Sequence, residues 1–469
     1  MVFMKKTISQ IWAEYAVELS FEHLSSEAID SAKMFLYDSI GCALGGSKTE
    51  DFRILEQVFR EIGGRGECSV IGSGLKTDVR SASLINAVAI RALDYNDVYW
   101  KQDPSHPSDL LPAAFCVGER EGKNGKDLLT AIVIAYELEM RLMEAAFPGI
   151  RELGIHHATL TAFVSPVVAG KMLGLNAEQI ANAIGISGSH SITLGAVTAG
   201  ALTMMKNTVD PMATEAGVFA ALLAQKGYQA PKAIFEGREG LFDSIGEEWK
   251  PEVLTEGLGE TFKITECSIK PFPSEALTHA PISATLDLVF EHDLKPDEIE
   301  SVEIYTLKRA AEILADEKKY IIDSRETADH SLPYCIAAAI VKRRLTPNEF
   351  TKESLKDEKV LENIPKVRAV LEPSFEERFP AEQPCKVVIK LKDGRKFERE
   401  RSYPKGDPRD RLSQEELKQK FSILAEGILS EEQQQKVFDA VYNLESLEKI
   451  SDLMRLVSKT ESLASIEQG

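Results

Sequence analysis

The residues of this chain whose types could do chemistry fall into five short segments. The first is Asp94-Tyr95-Asn96-Asp97, followed by His106-Pro107-Ser108-Asp109. Carboxylates, an amide and a histidine in one proline-broken loop could present an acid–base imidazole beside a carboxylate that orients it. The same residue types also build ordinary capping loops. The second is His156-His157-Ala158-Thr159, which opens a stretch dense in small residues, from Ala158 to Ala201. A helix N-terminus there favours anions through its dipole and free N–H groups. Neighbouring side chains on a helix point about 100° apart, which leaves one imidazole for a given pocket; capping or core packing is the other reading of either. The third is Lys206, after Met204 and Met205, either snorkelling to solvent or aimed into a cavity. The fourth is Lys270-Pro271-Phe272-Pro273-Ser274-Glu275, with His279 close behind. Prolines on both sides of Phe272 stiffen the backbone that carries Lys270, at a domain junction of the kind where ligand pockets concentrate. The fifth is Arg325-Glu326-Thr327-Ala328-Asp329-His330-Ser331-Leu332-Pro333-Tyr334, a polar cluster ahead of an apolar helix, where capping is the alternative.

Together these segments supply two lysines, histidines, aspartate and tyrosine, a set suited to proton transfer on a carboxylate-rich small molecule. The six cysteines are scattered and form no Cys-x-x-Cys pair, so no zinc or iron–sulfur signature is present. They read as buried free thiols. The chain of 469 residues carries 55 Lys and Arg against 74 Asp and Glu, a net charge of 55 − 74 = −19. That balance argues against a general nucleic-acid binder, which needs a surplus of cations on one face. An anionic substrate would need local buried cations. No apolar run reaches the ~18 residues of a membrane span, and Met1 to Ser20 reads as an amphipathic helix rather than a signal peptide. A cytoplasmic location is the expectation.

The elements that must position these residues are mostly helical up to about residue 265. Helical spacing runs from Ser26 to Ala43, Ser81 to Leu93 and Asp127 to Ala145, and Asn176 is a plausible N-cap. Pro211 belongs to the first turn of a helix that Gly227 ends. The glycines between Gly41 and Gly46 read as a turn after a helix. Beyond residue 265 the texture changes. Ile299 to Tyr305 alternates with period two, as does Cys385 to Lys392; Asp393-Gly394 is expected to make a two-residue hairpin turn into Arg395 to Arg401. The apolar segment Ser331 to Val341 reads as a helix between these strands. From Ser413 the pattern is helical again, with a polar tail after about Ser458. The expected layout is a helical domain over 1–267, an α/β domain over 268–405, and a helical return over 406–469.

These motifs, in this order, resemble the MmgE/PrpD family, which contains 2-methylcitrate dehydratases, cis-aconitate decarboxylases and some epimerases. The resemblance rests on the five segments and on Gly174-Leu175-Asn176 and Gly406-Asp407-Pro408-Arg409, and runs from about Ile8 to Leu456. It implies a mainly α fold: a large all-helical domain built from both chain ends, plus a smaller α/β lid. It implies a homodimer, no cofactor, and metal-free catalysis in a cleft between the two domains. It carries catalytic roles to Asp94, His106, His157, Lys206 and Lys270, and substrate contacts to His156, Glu275, His279 and Tyr334. His157, rather than His156, matches the family's helix-opening histidine. Two positions depart from the pattern: His156 replaces an acidic residue, and Val98 stands where Thr is common. The activity implied is reversible dehydration of 2-methylcitrate or citrate to a cis-aconitate-type alkene, as in propionate catabolism. Alternatives are decarboxylation of cis-aconitate, epimerisation of an amino-dicarboxylate, or a catalytically silent ligand-binding dimer.

Overall fold

A computed structural model describes residues 6–199, 202–246 and 248–459; Gly200, Ala201, Glu247, the first five residues and the polar tail from 460 onward lie outside them. The fold is mainly α, with small sheets and a smaller α/β part. Two compact units divide the chain. The first comprises Met1–Ala92, Asn96–Cys267 and Lys418–Gly469; the second comprises Leu93–Tyr95 and Ser268–Leu417.

Local capping chemistry sets many helix starts in the first unit. Thr7 and Gln10 form a capping box at the Ile8–Glu18 helix, Asn124 and Asp127 at Gly125–Ala145, and Asn176 and Gln179 at Ala177–Gly188. The small residues between Ala158 and Gly188 allow close helix approach. A Cβ on Gly217 of the Val209–Gln225 helix would meet the Ser165 Oγ at 2.0 Å, and one on Gly188 would meet the Phe163 ring at 2.6 Å.

The glycines near Gly41 do not form the expected turn. The Ser26–Gly46 helix runs straight through them. The reason is packing: a Cβ at Gly46 would lie 1.9 Å from the carbonyl oxygen of Ala89, in the Val79–Arg91 helix. Glycine is a poor helix former, but here only glycine lets the two backbones meet.

The last part of the chain completes this unit. Lys420, on the Gln414–Ala425 helix, places its buried Nζ 2.6 Å from the equally buried Asp38 Oδ1. Phe421 stacks on Tyr37 with ring centroids 4.3 Å apart. Helices from both chain ends thus share one core.

The second unit holds a four-stranded sheet whose order is Lys396–Arg401, Cys385–Leu391, Ile299–Thr306, Val367–Leu371. The last pair is parallel and the others antiparallel. Ile299, Val302, Ile304 and Thr306 turn inward at alternate positions, with one slip at Ser301, where a register shift occurs opposite Lys390 and Leu391. The Leu332–Lys342 helix corresponds to the predicted apolar segment. The hairpin differs from expectation by one residue. Leu391 N–H bonds to the Arg395 carbonyl at 2.9 Å, and Gly394 N–H bonds back to the Leu391 carbonyl at 2.9 Å. The loop is therefore Lys392-Asp393-Gly394. Gly394 takes φ 91°, the left-handed residue that follows a type I turn in three-residue hairpins.

All six cysteines are buried and free. Among the described residues no helix is long and apolar enough to cross a membrane.

The Gly46 contact gives a direct test. Gly46→Ala forces a methyl into the Ala89 carbonyl and should cost about 1–3 kcal/mol, seen as a lower urea midpoint. An unchanged midpoint would show that the two helices separate freely.

Candidate active site

In the first unit, three histidines gather around buried carboxylates. His106 follows a small hairpin that the sequence suggested only as a loop: Asp97–Trp100 pairs with Pro104–Ser105. The hairpin folds the segment back so that the His106 Nδ1 lies 2.6 Å from the Asp97 carbonyl oxygen. A carbonyl only accepts, so the proton sits on Nδ1 and the Nε2 carries the lone pair. The Asp97 carboxylate accepts from the Ser108 hydroxyl at 2.6 Å and the Ser108 N–H at 3.0 Å.

His156 and His157 sit ahead of the Ala158–Met172 helix, with His157 as its N-cap. Helical side-chain spacing does not govern them, and their rings lie side by side with centroids 4.0 Å apart. The His106 ring centroid is 5.8 Å from that of His157. All three imidazoles are buried. The His157 Nε2 lies 3.3 Å from the Oδ1 of Asp210, on the first turn of the Val209–Gln225 helix. The His156 Nδ1 accepts the Ala158 N–H at 3.2 Å.

Lys206 lies in a short helical turn, Met204–Asn207. It does not snorkel. It is 5% exposed while Met204 and Met205 are 38% and 41% exposed, so the ammonium group is inside and the two apolar side chains are outside.

Burial dominates the electrostatics. It pushes the Asp97 carboxyl up to about 6 against the Ser108 hydrogen bonds, and the Glu139 carboxyl up to about 8 against the Thr161 hydroxyl. Asp109 is also raised by burial, despite Arg91 Nε 3.6 Å away. Asp210 goes the other way. Burial opposes its charge, but His157 beside it, together with Arg91, overrides burial and holds the carboxyl well below the usual range. The imidazole of His156 is held well below its ordinary range by burial and by His157.

In the second unit, Lys270 and Asp94 form a buried pair. The Lys270 Nζ lies 2.8 Å from the Asp94 Oδ1 and 3.2 Å from the Ser274 carbonyl. Asp94 adopts φ 48°, a left-handed conformation that aspartate tolerates better than most residues. The other residues singled out here make contacts within the unit. The Glu275 carboxylate accepts from the Leu277 N–H at 2.7 Å. The His279 Nε2 is 3.0 Å from the Ser274 carbonyl. The Tyr334 hydroxyl donates to the Glu349 carbonyl. In the first unit, Asp210 supplies a carboxylate beside His157.

Among the described residues, one group of three donors is close enough to suggest a metal site: His156, His157 and Asp210, within 4.8 Å of one another. Within it the His157 Nε2 and the Asp210 Oδ1 are 3.3 Å apart. With Nδ1 accepting from Ala158, the His156 Nε2 bears a hydrogen and offers no lone pair.

Comparison with known proteins places this architecture. The MmgE/PrpD N-terminal domain matches residues 10–254, and the MmgE/PrpD C-terminal domain matches residues 272–445. The chain belongs to the MmgE/PrpD family. Similar relatives include the human cis-aconitate decarboxylase, 28% identical over 97% of this chain and 95% of the relative. The mitochondrial 2-methylcitrate dehydratase of Yarrowia lipolytica is 29% identical over 89% of this chain and 84% of its own length. The 2-methylcitrate dehydratase of Salmonella typhi is 25% identical, covering 92% and 93%. Dehydratases and decarboxylases are both lyases, and this MmgE/PrpD chain is an enzyme of that type.

Sequence reasoning missed Asp210 and Glu139. Glu139 had a visible signal, a carboxylate amid Ile134, Leu138, Met140 and Leu142 on one apolar helix. Asp210 looked like a residue of a helix's first turn, and only the tertiary fold brings it to His157.

Glu139 makes stability depend on pH. Its carboxyl moves from about 4.5 in the unfolded chain to about 8 in the fold. Between those values the folded protein keeps a proton that the unfolded chain has released, so stability falls as pH rises, by at most about 1.4 kcal/mol per pH unit. Glu139→Gln should remove this slope and gain relative stability toward pH 8. Urea midpoints across the window check it; parallel profiles for the two proteins would refute the assignment.

Proposed function

We propose that this protein catalyses the reversible dehydration of a 2-methylcitrate-like tricarboxylate to a cis-aconitate-type alkene, without a metal. The observation that carries the reading is the pair of buried imidazoles, His106 and His157, 5.8 Å apart and differently partnered. Elimination needs a base for a C–H next to a carboxylate and an acid for the departing hydroxyl. His106, with its proton on Nδ1 facing the Asp97 carbonyl, offers its Nε2 lone pair as the base. His157 faces the ionised Asp210, which stabilises an imidazolium, and so serves as the acid from its other nitrogen. The proton removed from carbon resides on His106; the hydroxyl leaves as water with the proton from His157.

The growing enediolate charge needs cations in a protein of charge −19. Lys206 and Lys270 are the proposed carboxylate partners, each a buried ammonium group. Lys270 brings Asp94 with it, which fixes its direction. The proposal includes a homodimer, as the family resemblance implies, in the cytoplasm. Ile54, Val58 and Ile62, one exposed apolar stripe on the Glu50–Ile62 helix, are a face that a second copy could cover.

A second reading, decarboxylation of cis-aconitate, is favoured by the extent of the match to the human decarboxylase. Val98, where a hydroxyl-bearing residue is expected, weighs against it. Incubation with 2-methylcitrate, citrate and cis-aconitate in D2O, followed by NMR with CO2 collected, separates the two. Alkene without CO2 supports dehydration; CO2 without hydration selects decarboxylation; neither product defeats both readings. Lys206→Met and Lys270→Met should each lower kcat/KM at least roughly tenfold, since a charged hydrogen bond is worth about 1.5–3 kcal/mol. His106→Gln and His157→Gln should act mainly on kcat. Near-normal kcat/KM in both lysine variants would show that the site lies elsewhere.

A further inference from the structure

The function proposed above uses two histidines for proton transfer and leaves the third, His156, with no chemical task. Its surroundings are specific. The ring is 4% exposed and stacks beside His157 with centroids 4.0 Å apart. Its own N–H bonds to the Thr193 carbonyl at 2.8 Å, which fixes the backbone that carries it. Its Nδ1 accepts the N–H of Ala158, one of the free donors at the start of the Ala158–Met172 helix, at 3.2 Å.

Accepting at Nδ1 forces the hydrogen of the neutral ring onto Nε2. Among the described residues, nothing accepts from that Nε2. The ring therefore keeps one donor that no described protein group engages. The ring cannot change tautomer, because Nδ1 would then confront the Ala158 N–H, hydrogen against hydrogen. Nor does it gain by taking a second proton, which would break the same bond and place a cation against His157. A neutral imidazole pinned in one tautomer is a directional donor rather than a proton carrier, a role known for imidazoles held neutral at a helix N-terminus.

Resting on the lyase reading of this site, we propose that His156 is a permanently neutral Nε2–H donor to a carboxylate or enediolate oxygen of the substrate. The adjacent histidines then divide the work. His157, turned to Asp210, moves a proton; His156, turned to the helix start, stabilises charge and moves none. An acceptor oxygen from the substrate satisfies the waiting N–H, so the interaction strengthens as charge grows on that oxygen.

Two measurements test this. Long-range 1H–15N NMR of the labelled wild type, with His156 assigned by its loss in His156→Gln, should show one protonated nitrogen, Nε2. A charged ring or an Nδ1–H tautomer overturns the inference. The second measurement compares His156→Gln, which keeps an N–H donor, with His156→Leu, which does not. Binding of propane-1,2,3-tricarboxylate, a non-reacting probe, should weaken roughly tenfold or more in the Leu variant and less than about threefold in the Gln variant. With a turned-over substrate, kcat/KM should divide the same way. Equal losses in both variants would show packing rather than donation and overturn the inference. Tight probe binding that ignores both substitutions also overturns it while leaving the lyase reading intact. Failure of the wild type to bind any tricarboxylate removes that reading, and the substrate role of His156 falls with it.

Discussion

Burial of charge is the constraint on which this site depends. Asp97, Asp109, Glu139 and Asp210 are all buried in the helical unit, with Arg91 as the cation paired with Asp109. Carboxylates crowded in a low dielectric cannot all ionise at once. The fold resolves this unequally. Asp97 and Glu139 are pushed toward their neutral forms, and Asp210 alone among the four is driven to full ionisation by the imidazole it faces. The single strong carboxylate is thus placed beside the histidine that benefits from it.

That selection depends on helix packing. His157 caps one helix and Asp210 opens the first turn of another. The two helices lie close because Gly217 brings its backbone against Ser165. A larger residue at that position would separate the helices and, with them, the imidazole from its carboxylate. Small residues in this region therefore close the helix packing and, by doing so, set the spacing of the polar groups between.

Much of this was readable from the residues. Helix starts at Asn176 and strands at Ile299 and Cys385 follow from capping and from alternation, which are local. The failures have non-local causes. The glycines before Ser47 read as a turn because propensity is local, whereas the carbonyl of Ala89 that demands Gly46 is 43 positions along the chain. The Asp393-Gly394 hairpin was one residue longer because a left-handed glycine serves both turn types. His106, His157 and Lys206 could be named from motifs, but not their partners. Asp210 has no signature beyond preceding Pro211, and the tautomers of His106 and His156 depend on a backbone carbonyl and a helix N–H that only the fold supplies.

The pairing of Asp38 with Lys420 has a consequence for biosynthesis. Asp38 lies in the second long helix, but its cation lies 382 positions later, beyond the whole second unit. At about 5–20 residues per second, the ribosome takes roughly 20–80 s to make that stretch. Through that interval the N-terminal helices are present without the ammonium group that offsets a buried carboxylate, and without Phe421 to stack on Tyr37. The helical unit therefore cannot finish folding as it emerges. It must wait, partly formed and with apolar surface uncovered, for the last tenth of the chain, which makes the nascent polypeptide a natural client for chaperones that shield such surface.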